Sequence, residues 1–385
     1  MALTDKLSAI GAAIREKTGK TELLTLDQMP TEIASITTGG GSEDCNGLHL
    51  PEEALVITGD CGNRFAYNSW NWFLELYGDK ITTQDITNIS NMFFSSGELT
   101  SIPITINCAL STAVSLLGLF QNCERLVELP KIICKPKELG SMFSNCCNLR
   151  IVPEDYFADF DFSDMETSTS TYSNKIGGSL FNGCLSLRSM PLDFLAHENT
   201  YINSAYNSIY YSLFYYCCSL DEVIDLPVNY RDKGITSNFF SSTFSNCNRL
   251  KNMTFAVQED GTPYTAKWKS QVVDLSSSVG YAVTVGIICD FNSGITADKE
   301  VKDDATYQAL KNDPDWFTCN MAYGRYNHDS AVATINSLPD TSAYGTNTIK
   351  FRGAAGELTD GGAISTLTEE EIAVAAAKGW TVTLV

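Results

Sequence analysis

A spaced pattern, Phe-x-x-Cys-x-x-Leu-x-x-aliphatic-Pro, returns six times between residues 93 and 253. It restricts the chain to architectures that stack similar units. The copies begin Phe93…Ser96…Leu99…Ile102-Pro103, Phe120…Cys123…Leu126…Leu129-Pro130 and Phe143…Cys146…Leu149…Val152-Pro153. They continue as Phe181…Cys184…Leu187…Met190-Pro191, Phe214…Cys217…Leu220…Val223 and Phe244…Cys247…Leu250…Met253. Serine replaces cysteine in the first copy, and the last two lack the proline. Phe and Cys three apart share one side of a helical turn. Leu then opens a short extended segment, which proline ends without wasting a ladder donor. Such a unit cannot bury its apolar side alone, so neighbours must stack into a solenoid. The expected fold is α/β, with a short helical turn and a short strand per repeat.

The cysteines serve this core as small hydrophobes with a weak donor. Thirteen are present, an odd number, with adjacent pairs at Cys146-Cys147 and Cys217-Cys218 and no signal peptide ahead of them. The expectation is reduced, buried thiols in a chain made in the cytoplasm. No C-x-x-C occurs, and His49, His197 and His328 stand far apart, so no metal or cofactor is expected. The net charge of −20 repels phosphate backbones and anionic lipid, which argues against nucleic-acid binding. No apolar run is long enough for membrane insertion.

Outside the repeats the chain reads as four further segments. Leu3, Leu7, Ile10 and Ile14 form a narrow helical seam within a module spanning 1–36, with a Gly-rich linker at 37–43. Four helical turns are marginal alone. The seam therefore packs on the main body or, as the glycine linker favours, serves homo-oligomerisation or docking on a larger assembly. Residues 44–90 read as a cap, 91–289 as the repeat array and 290–385 as C-terminal helix–strand capping repeats. In the last of these, Ser330–Leu338 and a Thr368…Glu371 capping box predict helices, and Thr348–Phe351 and Trp380–Leu384 predict strands. Ala297–Leu310 reads as a charged helix.

Phosphate loops, dinucleotide fingerprints, zinc-protease motifs and nucleophile elbows are missing, so a catalytic role is not expected. Paired carboxylates for glycan cleavage remain an alternative among 46 acids. Asp159, Asp161 and Asp164 form an acidic loop, read as solvated and not as a cation site, because it lacks the glycine and terminal glutamate of a calcium hand. Residues 201–216 hold six tyrosines among Asn and Ser, a composition suited to adaptable contact. Packing in the core is the competing role. The longer inter-repeat intervals place extra residues near Tyr156–Ser179, Ala196–Tyr211 and Asn229–Ser242. Inserts at equivalent points of a solenoid emerge on one edge. That edge would carry Tyr172, Tyr201, Tyr206, Tyr210, Tyr211 and Tyr230 as receptor-binding candidates.

The repeat resembles the leucine-rich repeat of bacterial surface antigens, the BspA-like type. The opening Leu3-Thr-Asp-Lys-Leu-Ser-Ala-Ile-Gly-Ala-Ala-Ile-Arg-Glu-Lys-Thr-Gly19 resembles the N-terminal module of phage and prophage tail or tail-fibre proteins. Cys61-Gly-Asn-Arg-Phe65 with Trp70-Asn-Trp72-Phe73 and Lys80-Ile-Thr-Thr83 looks like the cap that opens such arrays. Ala375-Ala-Ala-Lys-Gly-Trp-Thr-Val382 is similar to their terminal repeat. The resemblance implies a leucine-rich-repeat solenoid in a virion structural protein of the tail. Its implied partners are other tail or baseplate proteins and a host cell-surface glycan or protein. A glycan-cleaving tail enzyme and a bacterial adhesin are the alternatives.

Overall fold

The computed structural model describes residues 55–67, 74, 78–165, 178–196, 210–228, 234–236, 238–247, 250, 252–276, 284–290, 294–301, 328–351 and 367–385. All fall in one compact unit, Ala54–Val385. The helical module 1–36, with Leu3, Leu7, Ile10 and Ile14, and the linker 37–43 lie outside the described residues.

The unit is a repeat solenoid of about seven turns with few helices. Its strands are short and mostly parallel. β1 (Leu55–Asp60) pairs with β2 (Ile81–Asn88), β3 (Ile106–Asn107) with β5 (Ile132–Ile133), and β4 (Val114–Ser115) with β6 (Pro136–Glu138). β7 (Glu222–Leu226) pairs with β8 (Asn252–Phe255). At the repeat prolines the ladder shrinks to single bridges, Ser101 to Glu128 and Ile151 to Ser189. The two copies without proline hold β7 and β8. Ile224 and Thr254 occupy the proline position, and each leaves its N–H available to the backbone.

The Phe-x-x-Cys segments are not helical turns. Residues two before and two after each phenylalanine have positive φ: 53° and 56° at Asn91 and Ser95, 60° and 62° at Gly118 and Asn122. The same holds through Ser242 and Asn246. N–H groups of Met92, Phe94 and Ser96 close turns on the carbonyls of Ile89, Asn91 and Phe93. A left-handed third residue makes the first and last of these type II turns. The segment is thus a ribbon of fused β-turns. Every second N–H is left over, and it donates to the next rung. Asn91, Phe93 and Ser95 reach the carbonyls of Leu117, Leu119 and Gln121 at 2.8–3.0 Å, and each junction repeats this triplet. A helix would have consumed these donors internally, so stacking selects the ribbon.

Phe65 opens the series. Asn63 and Tyr67 flank it at φ 57° and 59°, and its segment donates three bonds to the Phe93 rung. Seven phenylalanine rings, from Phe65 to Phe244, therefore stack in one column. Adjacent centroids lie 5.4–6.0 Å apart and the ring planes are within 27° of parallel. The consensus leucines Leu99, Leu126, Leu149, Leu187, Leu220 and Leu250 are buried beside them. Each such side chain contributes about 1.5–3 kcal/mol.

Past the last rung, β9 (Val272–Asp274) joins a separate parallel sheet, and β10 (Thr284–Asp290) with β11 (Gly294–Val301) makes an antiparallel hairpin. The charged helix expected over Ala297–Leu310 is corrected in its first part, since Ala297–Val301 is strand paired with Thr284–Ile288; the remainder, 302–310, lies outside the described residues. β11 begins Gly-Ile-Thr, residues that favour a turn and extended backbone over helix. Helix α1 (His328–Ser337) covers the edge of β8: Ser337 Oγ accepts the Phe255 N–H at 3.0 Å, and Thr334 Oγ1 donates to the Met253 carbonyl. β12 (Asn347–Phe351) lies between β9 and β13 (Trp380–Leu384), with Ile349 in register with both Val273 and Val382. Helix α2 (Glu369–Ala377) opens on the Thr368–Glu371 capping box and ends before Gly379 at φ 81°.

Candidate functional site

The central residues of each rung's two type II turns stand at positions −3, −2, +1 and +2 from the phenylalanine, and most of them reach solvent, the exceptions being glycines, serines and Ala66. In the third rung these are Leu117, Gly118, Gln121 and Asn122; in the fourth, Gly140, Ser141, Ser144 and Asn145. Stacked at the inter-strand spacing of roughly 5 Å, they form four columns on one face. The columns are cross-linked: Asn145 Nδ2 donates to Asn122 Oδ1 at 2.9 Å, and Asn122 Nδ2 to Ser95 Oγ at 3.2 Å. A Cβ at Gly118 or Gly183 would sit 2.3 Å from Asn91 Oδ1 or 2.2 Å from Asn145 Oδ1, so the amide of that asparagine would have to move aside.

Aromatic side chains stand at both ends of this face. Tyr67 is 68% exposed, its ring edge-on to Phe94 at 5.5 Å. In the sixth rung Tyr211 and Tyr216 are 40% and 43% exposed, and Tyr215 meets Tyr216 edge-on at 4.6 Å.

Behind the face the thiols form a second ladder. Cys123 Sγ donates to the Phe93 carbonyl at 3.1 Å, and Cys146, Cys184, Cys217 and Cys247 repeat the contact one rung at a time at 2.9–3.1 Å. Ser96 Oγ makes the same bond to Phe65 at 2.6 Å, so serine in the first copy keeps the donor. Burial pushes the Cys123 thiol up to about 12 and holds Cys146, Cys184 and Cys217 well above the ordinary thiol range. These groups are structural, with no thiolate to offer a metal or an electrophile. Among the described residues ten cysteines stand outside any disulfide, and no cluster of three or more His, Cys, Asp or Glu is placed to hold a metal.

Of the expected receptor-binding tyrosines, Tyr210 is corrected: it is fully buried. It occupies position −4, in the inward column of Ile89, Leu116, Leu139 and Phe240. Its ring stacks on Phe240 at 4.9 Å and its hydroxyl donates to the Pro227 carbonyl. Tyr211, one residue on, is exposed on the ribbon face. Tyr172, Tyr201, Tyr206 and Tyr230 lie outside the described residues.

The described part of the first insert alternates between core and solvent, with Ala158, Asp159, Asp161, Ser163 and Asp164 exposed. Phe157, Phe160, Phe162 and Met165 turn into the core, and Phe157 packs on Phe194 at 4.4 Å. The acidic loop beside them is held by lysines of the preceding turn. Lys135 Nζ lies 2.8 Å from Asp164 and 3.9 Å from Asp161, and Lys131 lies 2.9 Å from Asp159. Of the histidines only His328 is described, and it ties α1 to Glu371 of α2 at 3.1 Å.

Sequence reasoning missed Tyr67 and Phe94. The available signal was Cys61-Gly-Asn-Arg-Phe65-Ala-Tyr67, whose Asn and Phe match the ribbon although its Cys precedes the Phe. No family model, curated protein or solved structure matches the chain. Among the described residues no helix is long and apolar enough to cross a membrane.

Proposed function

We propose that this chain is a binding protein, a phage tail-associated structural component whose repeats are of the BspA-like leucine-rich type and attach to a host surface. One observation carries the binding role: exposed aromatic side chains, Tyr67, Tyr211 and Tyr216, project from a backbone already fixed by three hydrogen bonds per rung junction. Aromatic anchors on a pre-ordered scaffold lose little entropy on contact, which favours recognition. The tail assignment draws on the resemblance of residues 3–19 and of the repeats to tail proteins. In that reading Leu3, Leu7, Ile10 and Ile14 join copies of the chain or dock it on tail or baseplate proteins.

Immunogold electron microscopy with an antibody to this chain tests the assignment on phage released from the strain that carries the gene. Label at the tail is the expected result. Label absent from particles, with the protein recovered on the bacterial surface, overturns the tail assignment in favour of an adhesin.

A further inference from the structure

We infer that the outer face of the turn ribbon binds an uncharged, hydroxyl-rich polymer, a neutral polysaccharide laid along the stack axis. This rests on the binding role proposed above and names its ligand class.

The carrying observation is the charge pattern. The four turn-centre positions on each of seven rungs hold no Asp, Glu, Lys, Arg or His, in a chain with 46 acids and 26 Lys plus Arg. Twenty of these 28 positions reach solvent, the rest being buried glycines, serines and Ala66; an ordinary surface, roughly a quarter to a third charged, would place roughly five to seven charges on the twenty. Arg64, at position −1 of the first rung, is the only charged residue in the described ribbon segments.

Turn geometry does not impose this. The left-handed positions −2 and +2 accept Asp nearly as well as Asn. Off the ribbon the chain does use aspartate at positive φ, Asp85 at 49° and Asp225 at 56°. On the ribbon it uses Asn, Ser, Gly and Tyr. Repulsion within a column would penalise runs of like charge, yet alternating signs would be favourable, and none occur. Positions −3 and +1, which have no left-handed requirement, are equally uncharged.

The relief of the face matches an extended chain. Tyr67 and Phe94 stand at one end and the Tyr211, Tyr215 and Tyr216 group at the other, four to five rungs away, or roughly 20–25 Å at the inter-strand spacing. Between them glycines such as Gly118 and Gly183 keep the surface low. Gln121, Asn145 and Asn182 offer amides that both donate and accept, as sugar hydroxyls require. Tyrosine rings supply flat apolar area for the C–H faces of sugar rings and a hydroxyl at the rim. An anionic polymer would meet no cation on this face and would be repelled by the acidic remainder of the chain.

The test passes the purified full-length chain over immobilised dextran, mannan and galactomannan as neutral probes, with alginate as the anionic probe and gelatin as the protein probe. Retention on at least one neutral polymer that persists at high salt is expected, because no ion pair is involved. Tyr67→Ala and Tyr216→Ala should each weaken it about tenfold with unchanged melting temperature. Ile151→Ala, at a residue 58% exposed but off the ribbon, should leave it intact. Retention on alginate or gelatin alone, on no neutral polymer, or undiminished in both tyrosine variants overturns the inference. Tail labelling without neutral-polymer retention would remove this inference alone. Retention without tail labelling would remove the tail assignment alone.

Discussion

Replacing Phe143 probes the column that joins the rungs. Its ring is fully buried, 5.7 Å from Phe120 and 5.4 Å from Phe181, with Tyr156 at 6.0 Å. Phe143→Ala removes the whole ring and should cost about 3–5 kcal/mol. Phe143→Leu separates stacking from volume. It keeps most of the apolar bulk and loses two stacked partners, each worth about 0.5–1.5 kcal/mol, for a cost of about 1–3 kcal/mol. Phe65 has one described stacking partner, Phe93 at 5.4 Å. Phe65→Leu should therefore cost about half as much, 0.5–1.5 kcal/mol on the same scale. Urea unfolding measures both through the midpoint at constant m. A fall in m for Phe143→Ala would report the two halves of the stack unfolding separately, as repeat arrays do when a central junction weakens. Equal losses at the two leucine variants would refute the column as an additive source of stability. An alanine variant within about 0.5 kcal/mol of the parent would refute the burial of Phe143 itself.

Gly183→Ala should cost more than Gly261→Ala. Both glycines have φ above 70°, but only at Gly183 does a Cβ meet an atom, Asn145 Oδ1 at 2.2 Å; equal shifts in melting temperature would dismiss that clash. Stability should fall in alkali. The buried thiols of Cys108 and Cys123, pushed up to about 12, and those of Cys146, Cys184 and Cys217, pushed well up, keep protons that the unfolded chain loses above about pH 9. The stabilisation is complete below that pH and declines above it by about 1.4 kcal/mol per pH unit per thiol, so urea midpoints that stay level from pH 7 to 10.5 would contradict the thiol burial. Thr368→Ala, which breaks the capping box, should destabilise α2 by about 0.5–2 kcal/mol, read by amide exchange in 369–377. Hydrogen bonds to Glu371 and Asp329 raise the His328 pKa, so its tie between α1 and α2 is strongest below the ordinary histidine range and is lost as pH rises through the raised value. Protection factors in α2, corrected for the base catalysis of exchange itself, should fall across that range in the parent and not in His328→Ala.

Much of the repeat was legible because buried positions leave a compositional trace. Phe120, Cys123 and Leu126 recur at fixed spacing because each must fill the same place in the next rung. The C-terminal register was legible too. The capping box at Thr368 and the alternation in Trp380–Leu384 follow from local chemistry, and Ile349 does lie opposite Val382. The candidate face was less legible. Tyr211 was singled out with its neighbour Tyr210, yet one residue of register sends Tyr211 to solvent and Tyr210 beneath Phe240. Tyrosine suits either place, so composition alone could not separate them.

The sequence by itself determined that apolar units must stack, which residues fill the core, and that the thiol position needs a small donor. Spacing and side-chain size carry that information. Only the tertiary structure decided that the Phe-x-x-Cys segment is a ribbon of turns and not a helix. Asn, Ser and Gly at the left-handed positions permit the ribbon, but its worth appears only when a second rung accepts the N–H groups it leaves over. The same stacking turned Ser96 from an eroded cysteine into a matching donor for Phe65 and made Phe65 the first ring of the column. It also gathered uncharged turn residues, scattered over some 180 positions of chain, into one continuous face. Hydrogen bonds between rungs far apart in sequence are long-range, and no local pattern encodes which carbonyl a spare donor will meet.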